Sequence, residues 1–395
     1  MSRNEKIILL LLAAINFTHI LDFMIMMPLG NFLMPYFDIS AGAFAAIVAS
    51  YNFAAFFTGI IAAFVVDRFD RKKVLIFGYI GFLLGTLCCA VAPTYWLLIA
   101  ARIVAGLFGG LVGAQVLSIV ADLIPYERRG RAMSWLMAAF SLASVLGVPL
   151  SLYLAKYAGW HSPFYLIVGV GIIVFFAVLK YIPSMTSHIA KVGSEKNMQE
   201  TFFAVFTVPT QRAALLLSGT VMLGHFLIIP FINPFLEYNM GFSRDQTPMI
   251  YLVGGATTIV TGLIWGRLAD RFGKLKIFTI AGVLSLIPVY VITHMPDWPY
   301  ALILALFGFW FAMANGRTIA TQAMVSQVVQ PANRGSFMSF NSSMQQLFTG
   351  AASTIAGLVV YSAADHRIYN YPVLGWMSVS IIAICLLLAR RLGVK

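Results

Sequence analysis

Asn16, His19 and Asp22 recur every third residue in an otherwise apolar stretch. At 100° per residue they share one helical sector about 120° wide. Asp22 is the only acid placed well inside an apolar segment of the first half. A carboxyl group removed from water but offered a nearby cation is balanced between its charged and neutral forms. That balance suits a group that binds and releases protons. His19, one turn away, could share the proton. Arg102 is the matching cation, inside the apolar run that begins near Trp96. An arginine in hydrocarbon costs several kcal/mol unless paired or wetted, so it marks a functional site by default. The plainer alternative is a structural Asp22–Arg102 ion pair.

A second polar set lies further along. His225 and Asn233 flank Pro230, with Pro234 following; Asn315, Arg317, Thr318 and Gln322 share one apolar run; Asn341 and Gln345 stand at i, i+4. With Asn16 and Gln115 these are candidate substrate contacts, although each neutral polar residue alone could equally hold helices together. Arg317, a second intramembrane cation, admits an anionic or polar substrate group. Met26, among Phe23, Met24 and Met27, adds an adaptable apolar surface.

Lipid must be the solvent of the elements that position these residues. Of 395 residues 60% are hydrophobic and only 10% charged, with a mean hydropathy of +0.88. Soluble proteins are about a quarter charged. The N-terminal apolar run continues to about Gly30, past the length of a signal core, and carries Asp22, so it reads as a retained helix. Runs of about 20 apolar residues predict helices at 7–30, 42–66, 74–93, 95–123, 132–155, 161–182, 213–236, 247–269, 276–294, 299–328, 335–361 and 371–390. If the first starts near residue 7, Asp22 lies roughly 22 Å along it at 1.5 Å per residue. That is about 8 Å below the far face of a 30 Å core. Arg102, on a helix running the other way, is roughly 9 Å deep. The two depths match.

The net charge of +12 follows the loops. Alternate loops hold most of the 26 basic residues, among them Arg68, Arg71, Lys72 and Lys73; Arg128, Arg129 and Arg131; and Arg267, Arg271, Lys274 and Lys276. The opposite loops hold only Lys156, Arg244 and Arg367. The positive-inside rule therefore places both termini in the cytoplasm. No nucleic acid is needed to explain the charge. Trp96, Trp160 and Trp298 at one level, with Trp135 and Trp265 at the other, predict interfacial belts. Cys88, Cys89 and Cys385 form neither a disulfide framework nor a metal spacing.

The chain repeats itself. Asp67-Arg68-Phe69 recurs as Asp270-Arg271-Phe272, an offset of 203, and Arg129-Gly130 recurs as Arg334-Gly335, an offset of 205. Two motifs at nearly one offset predict a duplicated six-helix unit: a bundle at 1–183, a linker at 184–212 and a second bundle at 213–395.

In these loops the chain resembles the major facilitator superfamily. That family's loop signature, Gly-x-x-x-Asp-Arg-x-Gly-Arg/Lys, is met by Gly266 to Lys274; the first copy has Ala63 and Asp70 where glycines are usual. The resemblance implies an all-α membrane protein of twelve spans in two pseudo-symmetric bundles. It implies a conformational latch involving Asp67 and Arg71, with Asp122 or Glu127 as acidic partner, and Gly266, Asp270 and Arg271 in the second copy. Arg102, Gly106, Gly109 and Gly113 match the fourth-helix motif associated with proton coupling, and Gly147-Val148-Pro149 resembles the fifth-helix antiporter motif, with Ser151 in place of its last glycine. Family members that exchange drugs for protons often carry an acid on helix one, as Asp22 would be. The expected function is proton-coupled export of a small organic solute or drug by a monomer in a bacterial inner membrane. Import by symport or facilitated diffusion is the alternative. The proton is the only coupling species expected; no cofactor, metal or enzymatic activity is. No nucleotide-binding Gly-x-x-x-x-Gly-Lys-Ser/Thr or His-Glu-x-x-His occurs.

Overall fold

The computed structural model describes residues 3–65, 68–124, 135–136, 138–186, 207–329, 334–363 and 366–392. Among these, the long helices are α1 Arg3–Met26, α2 Ala41–Val65, α3 Arg71–Ala90 and α4 Tyr95–Leu123. They continue with α5 Ala138–Ala158, α6 Ser162–Tyr181, α7 Pro209–Asn239 and α8 Thr247–Phe272. The last are α9 Lys274–Thr293, α10 Tyr300–Val325, α11 Arg334–Val359 and α12 Tyr371–Arg391. Eleven have the length and apolarity to cross a bilayer. The exception is α11, which has 26 residues but carries Ser339, Asn341, Ser342, Ser343, Gln345 and Gln346. A two-stranded hairpin, Tyr361–Ser362 with Ile368–Tyr369, joins α11 to α12.

Prolines and caps set several boundaries. The expected first helix, 7–30, is interrupted: α1 stops at Met26, the chain turns through Met27–Leu29, and a short helix spans Gly30–Phe37. Pro28 lacks the N–H that would continue the ladder. Helix α7 repeats this, turning at Leu227–Ile228 before Pro230 and ending in a π-helical turn, Phe235–Asn239. Pro28 and Pro230 are 202 residues apart, close to the offset of the loop motifs. Thr94 caps α4 by accepting from the Leu97 amide at 3.4 Å. The expected start of helix five, at 132, lies outside the described residues.

Helices α1–α6 pack on one another, as do α7–α12, and the two sets join along α2–α11 and α5–α8. The first seam is close because it is built on small residues. A Cβ on Gly42 would lie 3.0 Å from the Gly357 carbonyl oxygen, and one on Gly59 would strike the Ser343 hydroxyl. At the second seam, a Cβ on Gly255 would lie 2.8 Å from the Val145 amide nitrogen. That amide belongs to the π-helical turn Ala143–Gly147 of α5. The motif residues Gly147 and Pro149 therefore sit where α5 meets its neighbours, and a Cβ on Gly147 would be 2.6 Å from Leu21 of α1.

Two tryptophans depart from the expected belts. Trp160 is buried against Tyr36 and Phe37. Trp265 is also buried, because its Nε1 donates to the Ala312 carbonyl of α10 at 2.8 Å. Trp96, Trp135 and Trp298 are exposed.

Candidate functional site

Four helices of the first half enclose one ion pair. Arg102 Nη1 of α4 donates to Asp22 Oδ2 of α1 at 2.7 Å, and the two side chains are 1% and 0% exposed. Thr86 of α3 donates to the other carboxylate oxygen at 3.3 Å. Tyr51 of α2 lies beneath the guanidinium, its ring centroid 4.4 Å from Cζ. Arg102 Nε has no partner. With water excluded, charge and hydrogen bond hold Asp22 to Arg102, and the Tyr51 ring face meets the cation. Protonating Asp22 would dismantle this arrangement.

Glycines on α4 make the enclosure possible. A Cβ on Gly106 would strike the Tyr51 backbone, and one on Gly109 would lie 3.1 Å from His19 Nε2. His19 is thus wedged between α1 and α4, with both ring nitrogens unpartnered. Asn16 Nδ2 donates to the Leu136 carbonyl of α5 at 3.1 Å. The wedge of Asn16, His19 and Asp22 faces the interior of the first bundle.

The neighbouring face of α1 lines a small cavity of about 70 Å³ between the halves. Its wall includes Phe23, Met24 and Met27 from α1, His225 and Phe226 from α7, and Trp310 from α10. His225 stacks on Trp310, centroids 5.1 Å apart at 25°. Asp22 is therefore one residue from the cavity wall without being part of it.

The other candidates are dispersed. Met26 is buried in the core, and Met24 and Met27 take the cavity positions. Asn233 Nδ2 donates to the Pro28 carbonyl at 3.4 Å, and its Oδ1 accepts from Tyr251 at 3.1 Å. Asn315 donates to the Thr258 carbonyl at 3.0 Å, and Gln345 to Ser218 Oγ at 2.8 Å. These four bonds tie neighbouring elements of the bundle together. Gln115, Asn341 and Arg317 are buried, and each keeps at least one unpartnered polar atom.

The two ends of the molecule differ. Opposite the basic loops, Lys156 Nζ of the first half contacts both Asp245 oxygens at 2.6 and 2.7 Å, and Tyr238 donates to the Asn31 carbonyl at 3.0 Å. With Asn233 and Pro28, these contacts join the halves across that end. At the basic-loop end, Arg71 Nε meets Asp122 Oδ2 at 2.9 Å; Asp67 and Glu127 lie outside the described residues. Asp70, replacing a usual glycine, caps α3. Its carboxylate accepts from Ser184 Oγ at 2.5 Å, the Met185 amide at 2.9 Å and the Lys72 amide at 2.9 Å. Burial pushes its pKa up, but those hydrogen bonds outweigh burial and hold it below the usual value. In the second copy, Gly266 has open space around its Cβ position, Asp270 and Arg271 are exposed, and Arg271 lies 5.2 Å over the Phe272 ring.

Tyr51, Thr86 and the Lys156–Asp245 bridge were not singled out in the sequence. The Pro28/Pro230 and Asn31/Asn233 pairs share the offset of 202 and could have been found from it. Thr86 and Tyr51 carry no comparable signal.

A membrane bundle of paired helix sets with a cavity at their junction has the architecture of a secondary transporter. A sequence model of the Major Facilitator Superfamily matches residues 12–221 and again 214–394. The chain belongs to that superfamily and is a multi-pass membrane transporter. It is 23% identical over 346 residues to the uncharacterised MFS-type transporter YceJ of Bacillus subtilis, covering 87% of each chain. It is 27% identical over 342 residues to a chloramphenicol resistance protein of Streptomyces lividans, covering 85% of this chain and 84% of that one. The crystal structure of a bacterial homologue of the human lysosomal transporter Spinster superposes with a TM-score of 0.76 at 16% identity, covering 99% of this chain and 98% of that one.

Proposed function

We propose that this transporter is a proton-driven exporter of small organic solutes in a bacterial inner membrane, with both termini cytoplasmic. The carrying observation is the solvent-closed Asp22–Arg102 pair, one residue from the cavity wall at Phe23. A proton arriving from outside neutralises Asp22 and frees Arg102, loosening the contacts among α1, α2, α3 and α4. Loss of that proton to the cytoplasm restores the pair. The bundles 1–183 and 213–395, joined by the linker 184–212, would rock about α2–α11 and α5–α8. The Lys156–Asp245 end would be the outer gate, and the Arg71–Asp122 contact part of the inner latch. Export agrees with Gly147 and Pro149 on α5, and resistance, the word in the name of the Streptomyces lividans relative, is an outcome that export of a drug would give.

The test is transport by protein reconstituted in inverted orientation, with an imposed pH gradient and three radiolabelled probes: chloramphenicol, ethidium and 1-naphthalenesulfonate. Acid inside the vesicles should drive at least one probe inward above its equilibrium level. Probe movement down the proton gradient, together with the protons, would contradict export.

A further inference from the structure

Arg317 differs from Arg102 in one respect: no acid among the described residues neutralises it. It lies in the middle of α10, 3% exposed, with Nε unpartnered. Among the described residues no carboxylate pairs with it. The described acids of the second half, Glu237, Asp245, Asp270 and Asp297, all stand at helix ends or in loops. One turn on, Thr321 is buried with its hydroxyl also unpartnered. A lone guanidinium among membrane helices is costly and calls for an anion.

The cavity supplies the rest of the recognition surface. Trp310 is seven residues before Arg317, two helical turns, so both lie on one stripe of α10 about 10 Å apart along the axis. Trp310 and its stacking partner His225 form the cavity wall, and Arg317 is within electrostatic reach of His225. The stripe runs from an aromatic platform to an unmatched positive charge, towards the basic-loop end.

We propose that the solute carried is an amphipathic organic anion. Its aromatic or apolar body lies against Trp310 and His225, and its carboxylate, sulfonate or phosphate pairs with Arg317. This rests on the transport reading given above for the cavity, but it does not depend on proton coupling or on direction.

Equilibrium binding to the purified full-length protein tests it with three ligands sharing one body: 1-naphthalenesulfonate, 1-naphthalenesulfonamide and 1-naphthylmethylammonium. The sulfonate should bind at least about ten-fold more tightly than either analogue, the size expected of a charge-assisted hydrogen bond. Arg317→Gln should erase that preference and Arg317→Lys should keep part of it. Trp310→Ala should weaken all three ligands, so it reports on the body site without touching the charge. Gel filtration verifies that each variant is folded. Equal or weaker binding of the sulfonate by the wild type overturns the proposal, as does a preference that survives Arg317→Gln. If the variants do not fold, the wild-type ranking alone decides. Sulfonate binding without gradient-driven transport would leave the anion site standing and sink the export reading.

Discussion

Asp22 and Arg102 are 80 residues apart in sequence, yet their side chains meet at 2.7 Å in a place that water does not reach. Removing one partner of such a pair costs about 3–5 kcal/mol, because the other is left as a buried uncompensated charge. Arg102→Met should therefore lower thermal stability in detergent strongly. The double variant Asp22→Asn/Arg102→Met should recover most of the loss. Equal destabilisation of single and double variants would mean that packing, and not charge, holds α1 to α4.

The glycine face of α4 makes a contrast that needs no ligand. A methyl group on Gly106 meets backbone atoms of Tyr51, whereas one on Gly266 of α8 meets nothing within 4 Å. Overpacking of this kind costs about 1–3 kcal/mol, while glycine to alanine at an unobstructed helical site gains about 0.4–1 kcal/mol. Gly106→Ala should lower the unfolding temperature and Gly266→Ala should hold or raise it. The reverse ranking would contradict the close approach of α2 to α4.

Asp70 gives a prediction with a pH sign. Its pKa is depressed in the fold relative to 3.8, so its stabilising contribution is present above that value and fades as pH falls through the lower folded one. Asp70→Asn should unfold at lower temperature than the wild type at pH 7. The gap should close on acidification below 3.8. A gap that is constant with pH would show that the ionised carboxylate is not what ties α3 to Ser184 and Met185.

The Lys156–Asp245 bridge predicts a modest shift in conformation. Its side chains are 28% and 66% exposed, so solvent and salt screen it. Lys156→Ala should shift the balance of states only a few-fold towards opening at that end. Spin labels at Tyr153 and Met249, both exposed, with Cys88 replaced by Ser, would read this as added population at longer distance. An unchanged distance distribution would remove the bridge from the gate.

The helices and the depth match of Asp22 with Arg102 were legible because apolar length and rise per residue are local quantities. What Asp22 faces was not. Which residues of α2 and α3 reach it depends on how four helices pack, and Tyr51 and Thr86 look ordinary in their own segments. The polar residues Asn233, Asn315 and Gln345 show the complementary ambiguity. Sequence marks them as buried and polar but does not say whether they contact solute or another helix. In this fold each bonds a neighbouring helix. The α1 break was hidden because Pro28 sits among Met27, Leu29 and Gly30 in an unbroken apolar run.

The measurement that bears most directly on coupling is gradient-driven accumulation by Asp22→Asn beside the wild type, in matched proteoliposomes, with whichever probe the wild type concentrates. The ion-pair account predicts that the wild type concentrates the probe above its equilibrium level when protons are supplied, and that Asp22→Asn brings it to equilibrium at most. Accumulation by Asp22→Asn equal to the wild type would contradict the assignment of Asp22 as the coupling acid.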